Sequence, residues 1–307
     1  MDQILLTKSL RTDGFDSHEI QRMRHRGDLV SVRRGAYARD RPEDQTPEQA
    51  HRRLILATVP LLDAGAVVSH ASAAVLHGLP TWSSAFDRVH LTRDRSGGGR
   101  RRPVVHVHGA PLRAADLAVV DGIAVTSLGR TVLDLARTVP MDQAVAAGDW
   151  ALAVGLSRQE LDRGLVSMEH WPGVRRARRV VGFLDQRSES AGESVSRLRM
   201  VQDGLPLPEL QREIFGPDGR LVARVDFCWD EQKTIGEFDG KIKYGQLLNP
   251  GQSIEQVVFE EKVREDALRD LGWQVVRWLW RDLYRPGVLR DRVLRAFARS
   301  GGDLTPR

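Results

Sequence analysis

The chain has 307 residues, 41% of them hydrophobic, with 46 Lys and Arg against 41 Asp and Glu and a formal net charge of +5. That length allows two or three domains, and the lack of any run of 18 or more apolar residues excludes an ordinary transmembrane helix. The single cysteine, Cys228, excludes an intrachain disulfide framework and a cysteine-cluster zinc site. The opening MDQILLTKSL lacks the apolar centre of a signal peptide, so a cytoplasmic protein with no membrane partner is expected. The modest positive balance permits a polyanionic partner without establishing one.

The first stretch, LLTKSLRTDGFDSHEIQRMRHRGDLVSVRRGAYAR, carries one compact pattern. Ile4, Leu5 and Leu10 predict a short helix that stops at Thr12-Asp13-Gly14. Ser17 is the expected N-cap of a second helix with Ile20 and Met23 inward, and Gly27 ends it. LVSVRRGAY then alternates as strand, turn and strand. Helix, turn, basic helix and basic hairpin are the order of a winged helix-turn-helix, assigned to residues 1–42. Double-stranded DNA is the expected partner. Ser17, His18 and Gln21 near the second helix start would read bases, while Arg22, Arg24, Arg33 and Arg34 would meet phosphates. The competing reading is a small helical cap with a solvated basic face.

Residues 43–187 are expected to form a middle α/β domain. A polar, proline-bearing linker, DRPEDQTPEQAHRR, leads into a helix expected over Glu48–Ala64. AVVSHASAAVLHGLP reads as a short strand and a small-residue helix, followed by the strands FDRVHLT, PVVHVHG and GIAVTS. GRTVLDLAR reads as a helix with Leu133, Leu135 and Ala136 at core spacing. DRSGGGRRRP is a basic loop, either an exposed hairpin tip or a phosphate clamp. His70 and His77 lie seven apart with no carboxylate at ligand spacing, and His106 and His108 share a strand face with His90 on a separate strand. Each of these histidines is read as structural. A helical region over Met141–Asp185 carries RRARR at Arg175–Arg179, either a solvated face or an extension of the DNA footprint.

The wing LVSVRRGAYAR, VVSHASAAVLHGLP, VHLT and GIAVTSLGRTVLDLAR together resemble the AbiEi-like antitoxins and related regulators, over residues 1–150 or so. The resemblance implies a transcriptional autoregulator and a toxin partner encoded by a neighbouring gene. These motifs specify a scaffold more than a reaction.

Residues 188–307 form the third expected domain. ESVSRLRMVQDGLP is an amphipathic helix with Val195, Leu198 and Val201 at core spacing, and Ser190 with Glu193 matches a capping box. Two strands follow, GRLVARVDFCW and KTIGEFDG, joined across DEQK. With Glu231 and Gln232 as the central turn residues, Asp226 falls opposite Glu237, and Asp239 shares their face. Facing like charges destabilise a sheet, and a divalent cation would turn the repulsion into coordination. Magnesium or manganese is the expected cofactor, with Asp226 and Glu237 as ligands.

ESVSRLR, ARVDF, IGEFDGKIKY and EKVREDALRDLGWQVVRWLW resemble the PD-(D/E)xK nuclease superfamily, most closely the branch similar to very-short-patch repair endonucleases (the DUF559 group), over residues 188–297. The resemblance implies a restriction-endonuclease-like fold and a DNA endonuclease active in repair or defence. It makes Asp226 and Glu237 metal ligands, Glu193 a third acid borne on a helix and Asp239 a further candidate, with Lys241 orienting or activating water. The usual lysine position, two residues after the strand glutamate, is here Asp239, a departure that bears directly on activity. The alternative implied is an antitoxin-type regulator whose nuclease-like domain is inactive.

Overall fold

A computed structural model describes residues 4–40, 44–62, 65–95, 98–240 and 254–301. The chain is mixed α+β and divides into two compact units, Met1–Gly182 and Phe183–Arg307. No described helix is long and apolar enough to cross a membrane.

The first unit opens with β1 (Leu5–Leu6), α1 (Thr7–Thr12), α2 (Ser17–Arg26), β2 (Val30–Arg33) and β3 (Ala36–Ala38), the strands pairing in the order β1-β3-β2. Leu10, Ile20 and Leu29 form its small core, with Met23 and Tyr37 packed against them. Asp16, not Ser17, caps α2. Its side chain accepts from the Glu19 N–H while the Glu19 carboxylate accepts from the Asp16 N–H, both at 2.8 Å. The second helix therefore starts with two acids, which suits the positive end of its dipole. Gly27 ends it at φ 83°, a left-handed conformation that glycine adopts freely.

α3 (Pro47–Thr58) packs behind β2 and β3. It stops short of the expected Ala64, giving way to a 3₁₀ turn at Val59–Leu61, because Pro60 lacks the amide that would continue the helix. Residues 63 and 64 lie outside the described residues. Next come β4 (Ala66–Val68), α4 (His70–Leu76), β5 (Val89–Arg93), β6 (Arg100–Arg101), β7 (Val105–Gly109), β8 (Leu117–Val120) and β9 (Ile123–Thr126). They form a mixed six-stranded sheet in the order β6-β7-β5-β4-β9-β8. Its core gathers Ile55, Val68, Leu91, Val105 and Val125. α5 (Leu128–Thr138), α6 (Met141–Ala153), α7 (Arg158–Ser167) and α8 (Val174–Phe183) complete the unit. Leu133, Leu135 and Ala136 are buried as expected, and Arg175, Arg178 and Arg179 lie on the solvated face of α8.

The second unit runs α9 (Ala191–Gln202), β10 (Glu209–Phe215), β11 (Leu221–Trp229), β12 (Thr234–Phe238), α10 (Ile254–Asp270), β13 (Gln274–Trp278), α11 (Trp280–Leu283) and α12 (Val288–Arg299). The sheet order is β10-β11-β12-β13, the first three strands antiparallel and β13 parallel to β12 after the α10 crossover. Val195 and Leu198 are buried, whereas Val201 is exposed in the last turn of α9. One face of the sheet is aromatic. Phe227 stacks near Trp278, Trp229 meets Phe297 of α12 edge-on, and the Trp278 indole N–H donates to the Ser196 hydroxyl at 2.7 Å. Gly236 and Gly192 leave room for this packing, since a Cβ at the first would strike Trp278 and one at the second Phe238. On the opposite face Cys228 and Ile235 pack with Leu268 of α10 and with Trp273.

Gly236→Ala is expected to destabilise the protein by about 1–3 kcal/mol, because the added methyl overpacks a site closed by two indoles. Denaturant unfolding checks this, and an unchanged midpoint would refute the proposed tightness.

Candidate functional site

The hairpin β11–β12 pairs Trp229 with Thr234, Cys228 with Ile235 and Phe227 with Gly236. One step further along this register sets Asp226 against Glu237, the juxtaposition expected from the four-residue connection. Asp226 Oδ2 accepts from the Phe238 N–H at 2.9 Å. Burial first, then the charge of Glu193, then Glu237, push its carboxyl up to about 7, against the pull of that hydrogen bond and of Arg264. No arginine or lysine forms an ion pair with Asp226 among the described residues.

Glu237 has the opposite surroundings. It pairs with Arg264 of α10 at 2.8 Å and with Arg277 of β13 at 3.0 Å, its register neighbour across the parallel ladder. Both arginines also reach Glu261, one turn back on α10 from Glu265, which pairs with Arg277 at 3.4 Å. The hydrogen bond to Glu261, and then the nearby Glu237 charge, hold the Arg264 guanidinium well above its ordinary value despite burial. Acids and guanidiniums thus interleave between α10 and the β12–β13 ladder.

Glu193 is 8% exposed at the start of α9. The expected capping box is only half formed: the Ser190 hydroxyl accepts from the Glu193 N–H at 3.1 Å, but Glu193 Oε2 accepts from the Glu189 N–H and from Gln211 Nε2, each at 2.9 Å. Gln211 lies at the strand position opposite Asp226, in a left-handed backbone (φ 55°) that interrupts the β10 ladder. A residue outside the expected site therefore ties Glu193 to the strand edge. The only sequence signal for it was a polar residue at an inward position of an irregular strand.

Asp239 is half-buried, and its N–H donates to the Trp278 carbonyl at 2.8 Å, extending the sheet past β12. Lys241 lies outside the described residues. Among the described residues no three carboxylates converge closely enough to hold an ion by themselves. In the first unit Ser17, His18, Gln21, Arg22, Arg24 and Arg34 are all exposed. Ser17 Oγ accepts from Arg11 at 3.0 Å, and Arg24 sits over the Tyr37 ring at 5.9 Å. Arg33 is half-buried, with Nε and Nη1 enclosed and without hydrogen-bond partners among the described residues. Burial pushes its guanidinium down.

No protein-family model matches the chain. It is 32% identical over 277 residues to the Uncharacterized protein MT2308 of Mycobacterium tuberculosis (strain CDC 1551 / Oshkosh), across 89% of this chain and 94% of the relative. The same figures hold for the Uncharacterized protein Rv2248 of strain ATCC 25618 / H37Rv. The crystal structure of the RV2827C protein from Mycobacterium tuberculosis aligns over 70% of this chain and 84% of its own, at 18% identity and a TM-score of 0.40. A likeness at that level carries no argument here.

The raised carboxyl of Asp226 has a sign that can be measured. The folded protein holds its proton up to about pH 7, whereas the unfolded chain releases it near 3.8. Between those values the native state binds more protons, so the stability from the neutral carboxyl is present at low pH and is lost as pH rises toward 7. Metal-free wild type should lose on the order of 2 kcal/mol relative to Asp226→Asn between about pH 4 and pH 8, allowing for the solvent that still reaches the group. Unfolding of both proteins in chelator across that range checks it, and parallel pH profiles would refute it.

Proposed function

The chain belongs to the family of MT2308 and Rv2248, and we propose that it is a cytoplasmic DNA-binding protein whose C-terminal unit hydrolyses or nicks DNA phosphodiesters with a divalent metal. One observation carries the reading: Asp226 faces Glu237 in the hairpin register, held toward its neutral form by burial and neighbouring acids and without an ion-pair partner among the described residues, with Arg264 and Arg277 alongside. The element order α9-β10-β11-β12-α10-β13 supports it, since a helix, three antiparallel strands and a parallel fourth strand suit a PD-(D/E)xK core.

The donor set fits magnesium or manganese, hard cations that take carboxylate oxygens and complete their shells with water. Asp226 and Glu237 would be the direct ligands. Glu193, which accepts from the Glu189 amide and from Gln211, would reach the ion through a water. Such an ion would polarise a phosphoryl oxygen and lower the pKa of a bound water. The chain supplies the rest. Asp226 must give up its proton to bind, so the metal competes with that proton near neutral pH. Arg264 and Arg277, which pair with Glu237, would offer a non-bridging phosphate oxygen the charge-assisted hydrogen bonds that stabilise a phosphoryl transition state. Asp239 and Lys241 are proposed as a further acid and a water-orienting base.

The first unit would deliver DNA. A first strand, two helices and a β2–β3 hairpin that closes the β1-β3-β2 sheet support a winged helix-turn-helix, with Arg22, Arg24 and Arg34 exposed and two enclosed Arg33 nitrogens without hydrogen-bond partners among the described residues. A second reading, an antitoxin-type regulator with a non-catalytic C-terminal unit and a toxin partner, is favoured by one fact: Glu237 is already neutralised by Arg264 and Arg277.

Magnesium or manganese should raise the wild-type melting temperature by binding the folded state, leave Asp226→Asn and Glu237→Gln unmoved, and support cleavage or nicking of supercoiled DNA by wild type alone. No metal-dependent stabilisation, or cutting by either variant, would move the balance to the regulator. For the first unit, changing Arg22 and Arg34 to alanine should lower the log–log salt slope of DNA binding by about 0.9 per lost phosphate contact. An unchanged slope in a gel-shift or anisotropy titration would remove this face from the DNA.

A further inference from the structure

A second cluster stands apart from the carboxylates, in the first unit. β5 and β7 are parallel, with His90 beside His106 and Thr92 beside His108, so both histidines of β7 and His90 share one face of the sheet. His70, the first residue of α4, comes to the same place from the tight β4–α4 junction. Its ring stacks on His108 with centroids 3.7 Å apart and planes 16° apart. His90 Nδ1 and His108 Nε2 are 3.0 Å apart, and candidate ligand atoms of His70, His90 and His108 all lie within 4.8 Å of one another.

We propose that His70, His90 and His108 form a binding site for a divalent transition-metal cation of the imidazole-preferring class, zinc foremost, unrelated to the carboxylate pair. His90 Nδ1 and His108 Nε2 share a hydrogen bond, slightly shorter than the roughly 3.3–3.4 Å edge of a tetrahedron with metal–nitrogen bonds of about 2.0–2.1 Å, so an ion would take the place of the shared proton with a small parting of the rings.

Two further features point the same way. His70 has φ +50°, a left-handed conformation that costs a non-glycine residue about 1–3 kcal/mol and collects at sites where a side chain must be aimed. Here it aims the ring at β5 and β7. The Ser69 hydroxyl lies 3.0 Å from His70 Nδ1 and itself accepts from Thr92 at 2.8 Å, a hydrogen-bonded support of the kind that fixes a metal-bound imidazole and its tautomer.

The charge balance permits a cation. Arg130 and Arg137 act on His70, but both are ion-paired to the buried Asp134, at 2.9 and 2.8 Å, and Asp134 also acts favourably on His108. No carboxylate belongs to the ligand set, so magnesium gains nothing here, whereas zinc, cobalt, nickel or copper would. Three protein ligands leave a fourth position for water or an anion. The half-buried His90 and His108 place it toward solvent, unlike a closed four-ligand structural site.

The test uses untagged full-length protein stripped with chelator and then freed of it. Calorimetric titration with zinc, with magnesium in excess to occupy the carboxylate pair, should show one equivalent bound, with a raised melting temperature, in wild type. His108→Gln and His90→Gln should lose that equivalent, and Ser69→Ala should weaken it by about 10–100-fold. Zinc K-edge absorption of loaded wild type, which needs no variant to fold, should show a shell of imidazole nitrogens. Absence of stoichiometric zinc binding by wild type, an oxygen-only shell, or retention by His108→Gln would each overturn the proposal.

Discussion

Two carboxylates held at facing positions of one buried hairpin set the terms for the C-terminal unit. Isolated, such a pair destabilises a sheet, and burial multiplies the penalty because charge is poorly solvated there. The fold answers asymmetrically. Glu237 is given Arg264 and Arg277, whereas Asp226 is given a single backbone N–H and is pushed toward its neutral form. The pair survives because the other face of the same strands is closed by Phe227, Trp229, Trp278 and the space left by Gly236. A one-residue slip would turn every side chain of β12 over, burying the acids among indoles and exposing Ile235. Aromatic packing therefore holds the acids in register, and the acids do not hold the fold.

This hairpin was legible because its determinants are local. Alternation over ARVDFCW and TIGEF, with a four-residue turn between, leaves one pairing that keeps the apolar residues together, and that pairing is the one observed. The β13 strand was legible for the same reason, as a short apolar run after a helix stop. β10 was not, because Gln211 in a left-handed conformation breaks the alternation of ELQREIF in the middle. The cap of α2 was misplaced by one residue because Asp16 and Ser17 are both good caps, and only the reciprocal bond with Glu19 decides between them. β8 was overlooked although Asp121-Gly122, both at positive φ, is a strong hairpin signal between LAVV and IAVT.

The histidines mark where such reading stops. His70, His90 and His108 meet because β5 and β7 lie side by side in parallel and α4 folds back over them, contacts that depend on the whole sheet order. Spacing along the chain carries no trace of it. Judged singly, each histidine looked structural, and the sequence offered no reason to join residues that far apart. The acid site rests on a turn of four residues, whereas the histidine site rests on a topology.

The arginines beside Glu237 resolve an apparent contradiction in the proposed reaction. A glutamate already neutralised by two guanidiniums looks spent as a metal ligand, yet the same arrangement is what a phosphodiester site requires before its substrate arrives. Without metal or phosphate, unpaired Asp226, Glu237, Arg264 and Arg277 would each bear a desolvation cost, and pairing three of them internally leaves only Asp226 to be neutralised by a proton. In the proposed reaction, an ion held by the acids would leave the arginines free for a phosphate, so the charges would stay paired. The interleaving with Glu261 and Glu265 gives those arginines a second resting place, so release from Glu237 does not strand a buried cation.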